Sequence, residues 1–129
     1  MSADLTFDLS ATASDLLDCL NTIEESCIRW NMDRATISRL RVVVEELFSN
    51  TIKYGYGGEC ARPVRLRVRC SPRVELIYED EAPAFDPTTW RDTTPPEIGR
   101  NGISLVLGMA HSARYERLPA GNRLTLGLR

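Results

Sequence analysis

Apolar and polar residues alternate in several short stretches of the chain, and a two-residue period of this kind predicts β-strands. In the clearest stretch, Val64, Leu66 and Val68 are separated by arginines. The residues Ser71-Pro72-Arg73 follow it and predict a hairpin turn into the next strand. Five strands are predicted, at residues 4–9, 64–70, 74–79, 113–117 and 123–128.

Apolar residues recur three and four positions apart in three other stretches, and this spacing predicts amphipathic helices. The first helix opens at Ser14 or Asp15 and runs to about residue 30, and the second follows the N-cap residue Asp33 and runs to about residue 54. The third covers residues 103–111. The predicted buried stripes are Leu16, Leu20, Ile23 and Cys27 in the first helix, and Ile37, Leu40, Val44, Leu47 and Thr51 in the second.

The predicted order of elements is β-α-α-β-β-loop-α-β-β. This order is typical of the α+β class, and it predicts a two-layer α/β sandwich with helices on one face of a mixed, mostly antiparallel sheet. A chain of 129 residues has the size of one domain, residues 1–129. Residues 81–99 are proline-rich and lack periodicity, so we expect a loop, and loops of this length are commonly functional or mobile.

Three arginines, Arg65, Arg67 and Arg69, alternate with the apolar residues of the second strand. They could form a partner surface. The more ordinary alternative is cross-strand pairing with Glu75 and Glu79 on a solvated face, which the alternation in both strands favours.

The overall charge and the ends of the chain exclude several function classes. A formal net charge of −2 gives no electrostatic basis for nucleic-acid binding. No apolar run is long enough to span a bilayer, and the first residues lack the features of a signal peptide, so we expect a cytoplasmic protein. Four cysteines without a C-x-x-C pair, and a single histidine, predict free thiols rather than a zinc site.

One line of polar residues stands out on the second predicted helix. Glu46, Asn50 and Lys53 are four and three residues apart, so they share a face that differs from the apolar stripe. Asparagine is a poor helix former, and Lys53 is the only lysine in a chain with fifteen arginines. The line is either a solvent-facing edge or a set of functional side chains.

Two further motifs follow. Asp80 ends an apolar strand and enters a proline-rich turn, where an aspartate is either a turn former or a ligand-binding residue. Gly99 and Gly102 precede the third helix, where glycine is either a hinge or a means for backbone N–H groups to approach phosphate.

Together these motifs resemble the nucleotide-binding (Bergerat) domain of gyrase, heat-shock chaperones, sensor histidine kinases and mismatch-repair ATPases. Glu46 to Asn50 is similar to its N box, Asp80-x-Ala-x-x-Phe85 to its first glycine box, and residues 99–106 to its second. Within that superfamily the chain is most similar to the anti-sigma-factor serine/threonine kinases. The similarity lies in the segment from Glu46 to Tyr56, in "FDP" at 85–87 and in "GNRLTL" at 121–126.

The resemblance implies a role for each matching residue. Glu46 would be the general base, Asn50 the protein ligand of Mg²⁺, and Asp80 the acceptor for the exocyclic amine of adenine. Lys53 would neutralise phosphate charge, on geometric grounds more than family precedent, and Thr125 would support Asp80 from the neighbouring strand. The remaining expected ATP-binding residues are Ala84, Phe85, Gly99, Arg100, Gly102 and Ile103, with a short ATP lid at 86–99.

The function that the resemblance implies is partner switching. An ATP- and Mg²⁺-dependent protein serine/threonine kinase would phosphorylate a STAS-type antagonist protein and sequester a sigma factor or an equivalent target, as a possible homodimer. A sensor histidine kinase or a gyrase-like ATPase would need regions beyond this domain.

Two departures from the family pattern support an alternative function. Ala82 and Arg100 stand where glycine is usual, and alanine would cost about 1 kcal/mol if position 82 requires a positive φ. The alternative is a protein-binding module of the same fold with weak or lost ATP binding.

Overall fold

The computed structural model of the protein describes residues 3–89 and 102–129. The elements are β1 (Asp4–Ser10), α1 (Ala13–Arg29), α2 (Arg34–Asn50), β2 (Pro63–Arg69), β3 (Glu75–Asp80), α3 (Gly102–Met109), β4 (Ala110–Leu118) and β5 (Gly121–Leu128). The predicted order and the α+β class are confirmed. The last predicted helix is shorter than expected because β4 begins at Ala110.

The five strands form one sheet in the order β1-β2-β3-β5-β4. We expected a mixed, mostly antiparallel sheet, and within the described residues each neighbouring pair is antiparallel. The hairpins β2–β3 and β4–β5 require this direction. Two consecutive helices separate β1 from β2, and together they return the chain to the end of the sheet where β1 stops, so that pair is antiparallel as well.

The helices cover one face of this sheet. In β2, Val64, Leu66 and Val68 are buried while the arginines between them are exposed, as a two-residue period requires. The apolar stripes of α1 and α2 lie against the same face, and their predicted residues are buried except for Leu16, which is partly buried at the edge of the core. The hydrophobic layer between helices and sheet is therefore the main stabilising feature of the fold.

Both long helices begin at capping residues. Asp33 accepts a hydrogen bond from the backbone N–H of Thr36 at 2.7 Å, which confirms it as the N-cap of α2. Helix α1 starts slightly earlier than predicted because Thr12 is its N-cap, accepting from the N–H of Asp15 at 3.1 Å. The Asp15 carboxylate in turn accepts from the N–H of Ser10.

The arginines of β2 are paired on the outer face of the sheet, but with different partners from those expected. Arg67 lies 3.2 Å from Asp4, and Arg65 lies 3.6 Å from Asp8, both on β1. Glu79 instead pairs with Arg123 of β5 at 2.7 Å. These side chains are largely exposed, so each pair adds little stability.

Helix α2 ends in a π-helical turn, Thr51–Gly55, and this turn packs against the loop after β3. A Cβ atom added at Gly55 would lie 2.9 Å from the Cβ of Ala82, which is buried. Ala82 itself is unstrained, since among the described residues Asn31 is the only non-glycine with a positive φ. The expected cost of alanine at position 82 therefore does not arise, and Gly55 provides the space for the Ala82 methyl group.

The four cysteines are free thiols, as predicted, and Cys19 and Cys27 are buried. Burial raises the pKa of the Cys19 thiol from 9.0 to about 12. None of the helices within residues 3–89 and 102–129 combines the length and apolar character needed to cross a membrane.

The raised pKa of Cys19 predicts a loss of stability at alkaline pH. Between pH 9 and about 12 the folded protein keeps the Cys19 proton, whereas the unfolded chain releases it. The contribution of Cys19 protonation to the unfolding free energy is therefore complete below pH 9. As the pH rises through this window, the unfolding free energy falls by up to about 1.4 kcal/mol per pH unit. In urea unfolding at pH 8 to 10.5, Cys19→Ala should lower the unfolding free energy but flatten its pH dependence. Cys60→Ala, at a partly exposed thiol, serves as the control, and identical slopes for Cys19→Ala and the parent would contradict the prediction.

The contact between Gly55 and Ala82 predicts a non-additive pair of substitutions. Gly55→Ala should destabilise the protein by about 1–3 kcal/mol because the two methyl groups overlap. In the Ala82→Gly background the same change should cost much less, since the space is then open. A double-mutant cycle by thermal or chemical denaturation measures this coupling, and additive effects would show that the two residues do not compete for the same space.

Candidate functional site

The polar line on α2 faces the start of α3. Glu46, Asn50 and Lys53 line one cavity together with Gly102 and Ile103. Gly102 makes room for the glutamate, since a Cβ atom at that position would lie 1.9 Å from Glu46 Oε2. Of the two alternatives that the sequence left open, the structure therefore favours a set of side chains at a cavity over a plain solvent-facing edge.

The polar groups of this line have no protein partners in the part of the chain that the structure describes. Glu46 and Asn50 are half-buried and Lys53 is exposed, and no hydrogen bond or ion pair with a described residue involves their side chains. Because both side chains are only partly buried, water can satisfy their polar groups when no ligand is bound. These side chains are thus available to bind a ligand in the cavity.

Asp80, at the end of β3, lines a second cavity that adjoins the first. The two cavities share Asn50, Tyr54 and Ile103, so Glu46, Asn50 and Asp80 lie on the same side of the molecule. The second cavity has mostly apolar walls and three acidic or amide groups, Asn50, Asp80 and Asn122, a composition typical of small-molecule sites. Its walls include Leu47, Tyr78, Ala82, Pro83, Ala84, Phe85, Pro87, Asn122 and Leu124.

Three donors from three parts of the chain hold the Asp80 carboxylate. The hydroxyl of Thr51 donates to Oδ2 at 2.8 Å. The side-chain amide of Asn122 donates to Oδ1 at 2.8 Å, and the backbone N–H of Ala82 donates to the same oxygen at 3.2 Å. The carboxylate is therefore fixed against both α2 and β5.

Beneath Asp80, a buried tyrosine completes the network. The Tyr78 hydroxyl lies 2.7 Å from the Thr51 hydroxyl and 3.2 Å from the carbonyl oxygen of Leu47. Burial is the main cause that raises the pKa of Tyr78 well above its ordinary value, so the phenol stays protonated at neutral pH.

The loop after β3 is held by side chains from two directions. The Tyr56 hydroxyl accepts a hydrogen bond from the N–H of Glu81 at 2.7 Å. The guanidinium carbon of Arg62 lies over the Tyr56 ring, 4.5 Å from its centroid, in a cation–π contact. From the other side, Arg117 donates to the carbonyl of Ala82 at 2.9 Å. Asn122 also donates to the carbonyls of Ala82 and Pro83, each at 3.2 Å. The cavity wall at this loop is consequently well ordered by hydrogen bonds.

The predicted role of Thr125 is corrected by the structure. Thr125 lies opposite Ile77 in the β3–β5 register, and it lines the outer face of the sheet. Asn122, opposite Asp80, is the β5 residue that supports the carboxylate. Residues 122 and 125 are three apart and therefore project from opposite faces of a strand.

The other predicted site residues divide into two groups. Ala84 and Phe85 line the Asp80 cavity, and Gly102 and Ile103 line the cavity at Glu46, and their role in ATP binding stays a prediction. Gly99 and Arg100, together with most of the predicted lid at 86–99, lie outside the described residues. Within that lid, Pro87–Thr89 form a 3₁₀ turn, and the buried Pro87 contributes to the cavity wall.

Three residues of the site were not predicted as functional. Thr51 was assigned to the apolar stripe of α2, and it is indeed buried, but its hydroxyl binds Asp80. Tyr78 and Asn122 carried no motif of their own. The "GNRLTL" segment that contains Asn122 was part of the family resemblance. Only the strand register identifies Asn122 as the residue of this segment that binds Asp80.

A metal ion bound here would have few protein ligands. In residues 3–89 and 102–129, no three histidine, cysteine or acidic side chains are grouped as they would be for a metal ion. Magnesium favours oxygen ligands and often takes only one or two from the protein when nucleotide phosphates supply others. The unpartnered oxygen of the Asn50 side chain fits that mode of binding.

Comparison with known proteins gives a family match and similarities to solved structures. Residues 9–128 match the histidine kinase-like ATPase domain. No curated protein gives a significant match. Among solved structures, the chain is similar to the crystal structure of the RsbU and RsbW domains of Rv1364c from Mycobacterium tuberculosis, with a TM-score of 0.67 and 17% identity.

That structural similarity concerns the fold. The match covers 98% of this chain and 32% of the other, so this chain spans about a third of the length of the protein that it resembles. The family match covers most of the chain, including Glu46, Asn50 and Asp80, and an ATPase domain implies ATP as the ligand. The chain belongs to the histidine kinase-like ATPase domain family.

Proposed function

We propose that this protein is an ATP-dependent protein serine/threonine kinase that acts as a partner-switching regulator. The observation that carries the proposal is the position of Glu46 and Asn50. Their side chains, without a partner among the described residues, line a cavity that shares Asn50, Tyr54 and Ile103 with the pocket containing Asp80. ATP-dependent phosphoryl transfer needs a group to accept the hydroxyl proton and a metal ion at the phosphates, and Glu46 and Asn50 can supply the proton acceptor and a metal ligand.

The Asp80 end of the pocket is suited to adenine. Leu47, Ile103 and Leu124 offer apolar walls to a flat aromatic base. The Asp80 carboxylate accepts hydrogen bonds, so it would accept one from the exocyclic amine of adenine. Burying this amine without a partner would be costly, and the acceptor therefore contributes specificity as well as affinity.

The α3 end of the pocket is suited to phosphates. Asn50 would supply its side-chain oxygen to Mg²⁺, which neutralises phosphate charge when it is bound. Lys53 lines the same cavity and adds a positive charge. Gly102 opens α3 at this cavity, and the N-terminus of a helix favours anions through its free N–H groups and its dipole.

Glu46 would act as the general base. It lies one helical turn before Asn50 and points at the start of α3, beside the expected phosphates. A carboxylate in this position can accept the proton of a serine hydroxyl as that oxygen attacks the terminal phosphorus atom. The proton moves to a Glu46 oxygen, the new O–P bond forms on the substrate serine, and ADP leaves.

The proposed partners follow from the resemblance to the anti-sigma-factor kinases and from the RsbW domain in the related structure. The substrate would be a serine of a STAS-type antagonist protein, and the regulated target would be a sigma factor or an equivalent protein. Phosphorylation of the antagonist would release it and leave the kinase free to hold its target.

A second candidate is a protein-binding module of the same fold that performs no chemistry. One observation favours it: the Ala82 methyl group fills part of the pocket wall where the family usually has glycine. Titration calorimetry with Mg-ATP separates the two functions. Absence of binding at millimolar nucleotide would leave the binding module.

The kinase proposal predicts a selective effect of Glu46→Gln. Glutamine keeps the size of the side chain but cannot accept the proton, so phosphoryl transfer should fall by about 10²–10⁴-fold. The affinity for Mg-ATP should stay within a few-fold of the parent. Transfer is measured with labelled ATP and STAS-domain proteins encoded near this gene, and binding by calorimetry.

Glu45→Gln is the matched control, because Glu45 precedes Glu46 on α2 and is exposed to solvent. This variant should transfer phosphate like the parent. Equal activity of the Glu46 and Glu45 variants would remove Glu46 from the mechanism.

A further inference from the structure

The Asp80 carboxylate has few hydrogen-bonding positions left. A carboxylate offers about four lone-pair sites, two on each oxygen. Asn122 and the backbone N–H of Ala82 occupy both sites on Oδ1, and Thr51 occupies one on Oδ2. In the described part of the chain no other group donates to this carboxylate, so a single site remains, on Oδ2.

The direction of the hydrogen bonds below Asp80 is fixed by the same reasoning. An ionised carboxylate can only accept, so the one hydroxyl proton of Thr51 is directed to Asp80 Oδ2. Thr51 then has no proton left for Tyr78, so the single phenol proton of the buried Tyr78 is shared between the Thr51 hydroxyl oxygen at 2.7 Å and the Leu47 carbonyl oxygen at 3.2 Å. The result is a one-way chain from Tyr78 through Thr51 to Asp80.

From this geometry we propose that Thr51 and Asn122 are positioning residues for base selection. They hold the Asp80 carboxylate in one orientation, with one acceptor site presented to the amine at C6 of adenine. The inference rests on ATP binding in this pocket, as in the proposed function, and it extends that function to the residues that set nucleotide specificity.

Both residues reach the pocket wall, and their polar groups are directed at the Asp80 carboxylate, so they can set its orientation. Thr51 is 2% exposed and lies in the π-helical turn that follows α2. Asn122 lies opposite Asp80 in the sheet, and its side-chain amide also donates hydrogen bonds to the carbonyl oxygens of Ala82 and Pro83. Thr51 binds the carboxylate from the helix layer and Asn122 binds it from the sheet. Rotation of the Asp80 side chain would therefore break the hydrogen bonds to both residues.

The test compares two nucleotides that differ only at C6. ATP carries the amine, and purine riboside triphosphate carries hydrogen in its place. Calorimetric titration of the parent protein with the Mg²⁺ complexes of both should show an affinity ratio of about 10-fold or more in favour of ATP, as for one hydrogen bond to a charged group.

The variants Thr51→Val and Thr51→Ser separate positioning from packing. Valine keeps the shape of threonine but cannot donate, so the ratio of affinities should fall at least about 5-fold. Serine retains the hydroxyl and should keep the parent ratio. A role in packing alone would weaken both nucleotides equally in Thr51→Val and leave the ratio unchanged, and that result would overturn the inference.

Asn122→Ser provides an independent arm should Thr51→Val fail to fold, since Asn122 is only half-buried. It should lower the ratio in the same direction, and an unchanged ratio counts against the inference. A parent protein that binds ATP without preferring it over the C6-hydrogen analogue would overturn this inference and leave the kinase proposal standing. A parent protein that binds neither nucleotide would overturn both.

Discussion

The hydrogen-bonded carboxylate of Asp80 is the point on which the site depends. It stands where β3 ends, and it is bound from α2 through Thr51, from β5 through Asn122 and from its own loop through Ala82. Each of these donors belongs to a different part of the fold. Because the helix layer, the sheet and the loop meet at one acceptor, a shift of any of them relative to the others would change the pocket.

Glycine residues allow the helix layer, the sheet and the loop to pack closely around this site. A side chain at Gly121 would lie 1.9 Å from the carbonyl oxygen of Asp80, and one at Gly102 would meet the Glu46 carboxylate. Gly55 similarly faces Ala82. In each case a missing side chain lets backbone or polar atoms of one layer lie directly against another layer, which is a role of glycine distinct from conformational freedom.

Local patterns in the sequence predict the features that depend on local geometry. Helical spacing places Glu46 and Asn50 on one face whatever surrounds them, and the end of an alternating stretch places Asp80 at the edge of the sheet. The contact of Asn122 with Asp80 depends instead on the register between strands that are distant along the chain. The same is true of the ion pairs that Arg65 and Arg67 form with β1. Burial of Thr51 was predictable from its place in the apolar stripe, but its hydrogen bond required the position of β3. The resemblance to known ATPases therefore named residues that the structure places at two adjoining cavities, whereas the hydrogen bonds that hold Asp80 came only from the structure.

The two ends of the pocket differ in how far their polar groups are already satisfied, and this difference fits phosphoryl transfer. At the Asp80 end, Asp80 and Asn122 are engaged in protein hydrogen bonds, which fix the orientation of the carboxylate. At the α3 end, Glu46 and Asn50 have no partner among the described residues, so they can respond to a ligand whose charge changes during a reaction. In the proposed mechanism, the hydrogen-bonded end would hold the nucleotide base, and the Glu46 carboxylate at the other end would take up the proton. The groups without a protein partner at the α3 end, within the described part of the chain, are therefore those to which the proposal assigns the chemistry, whereas the hydrogen-bonded groups at the Asp80 end are assigned to recognition of the base.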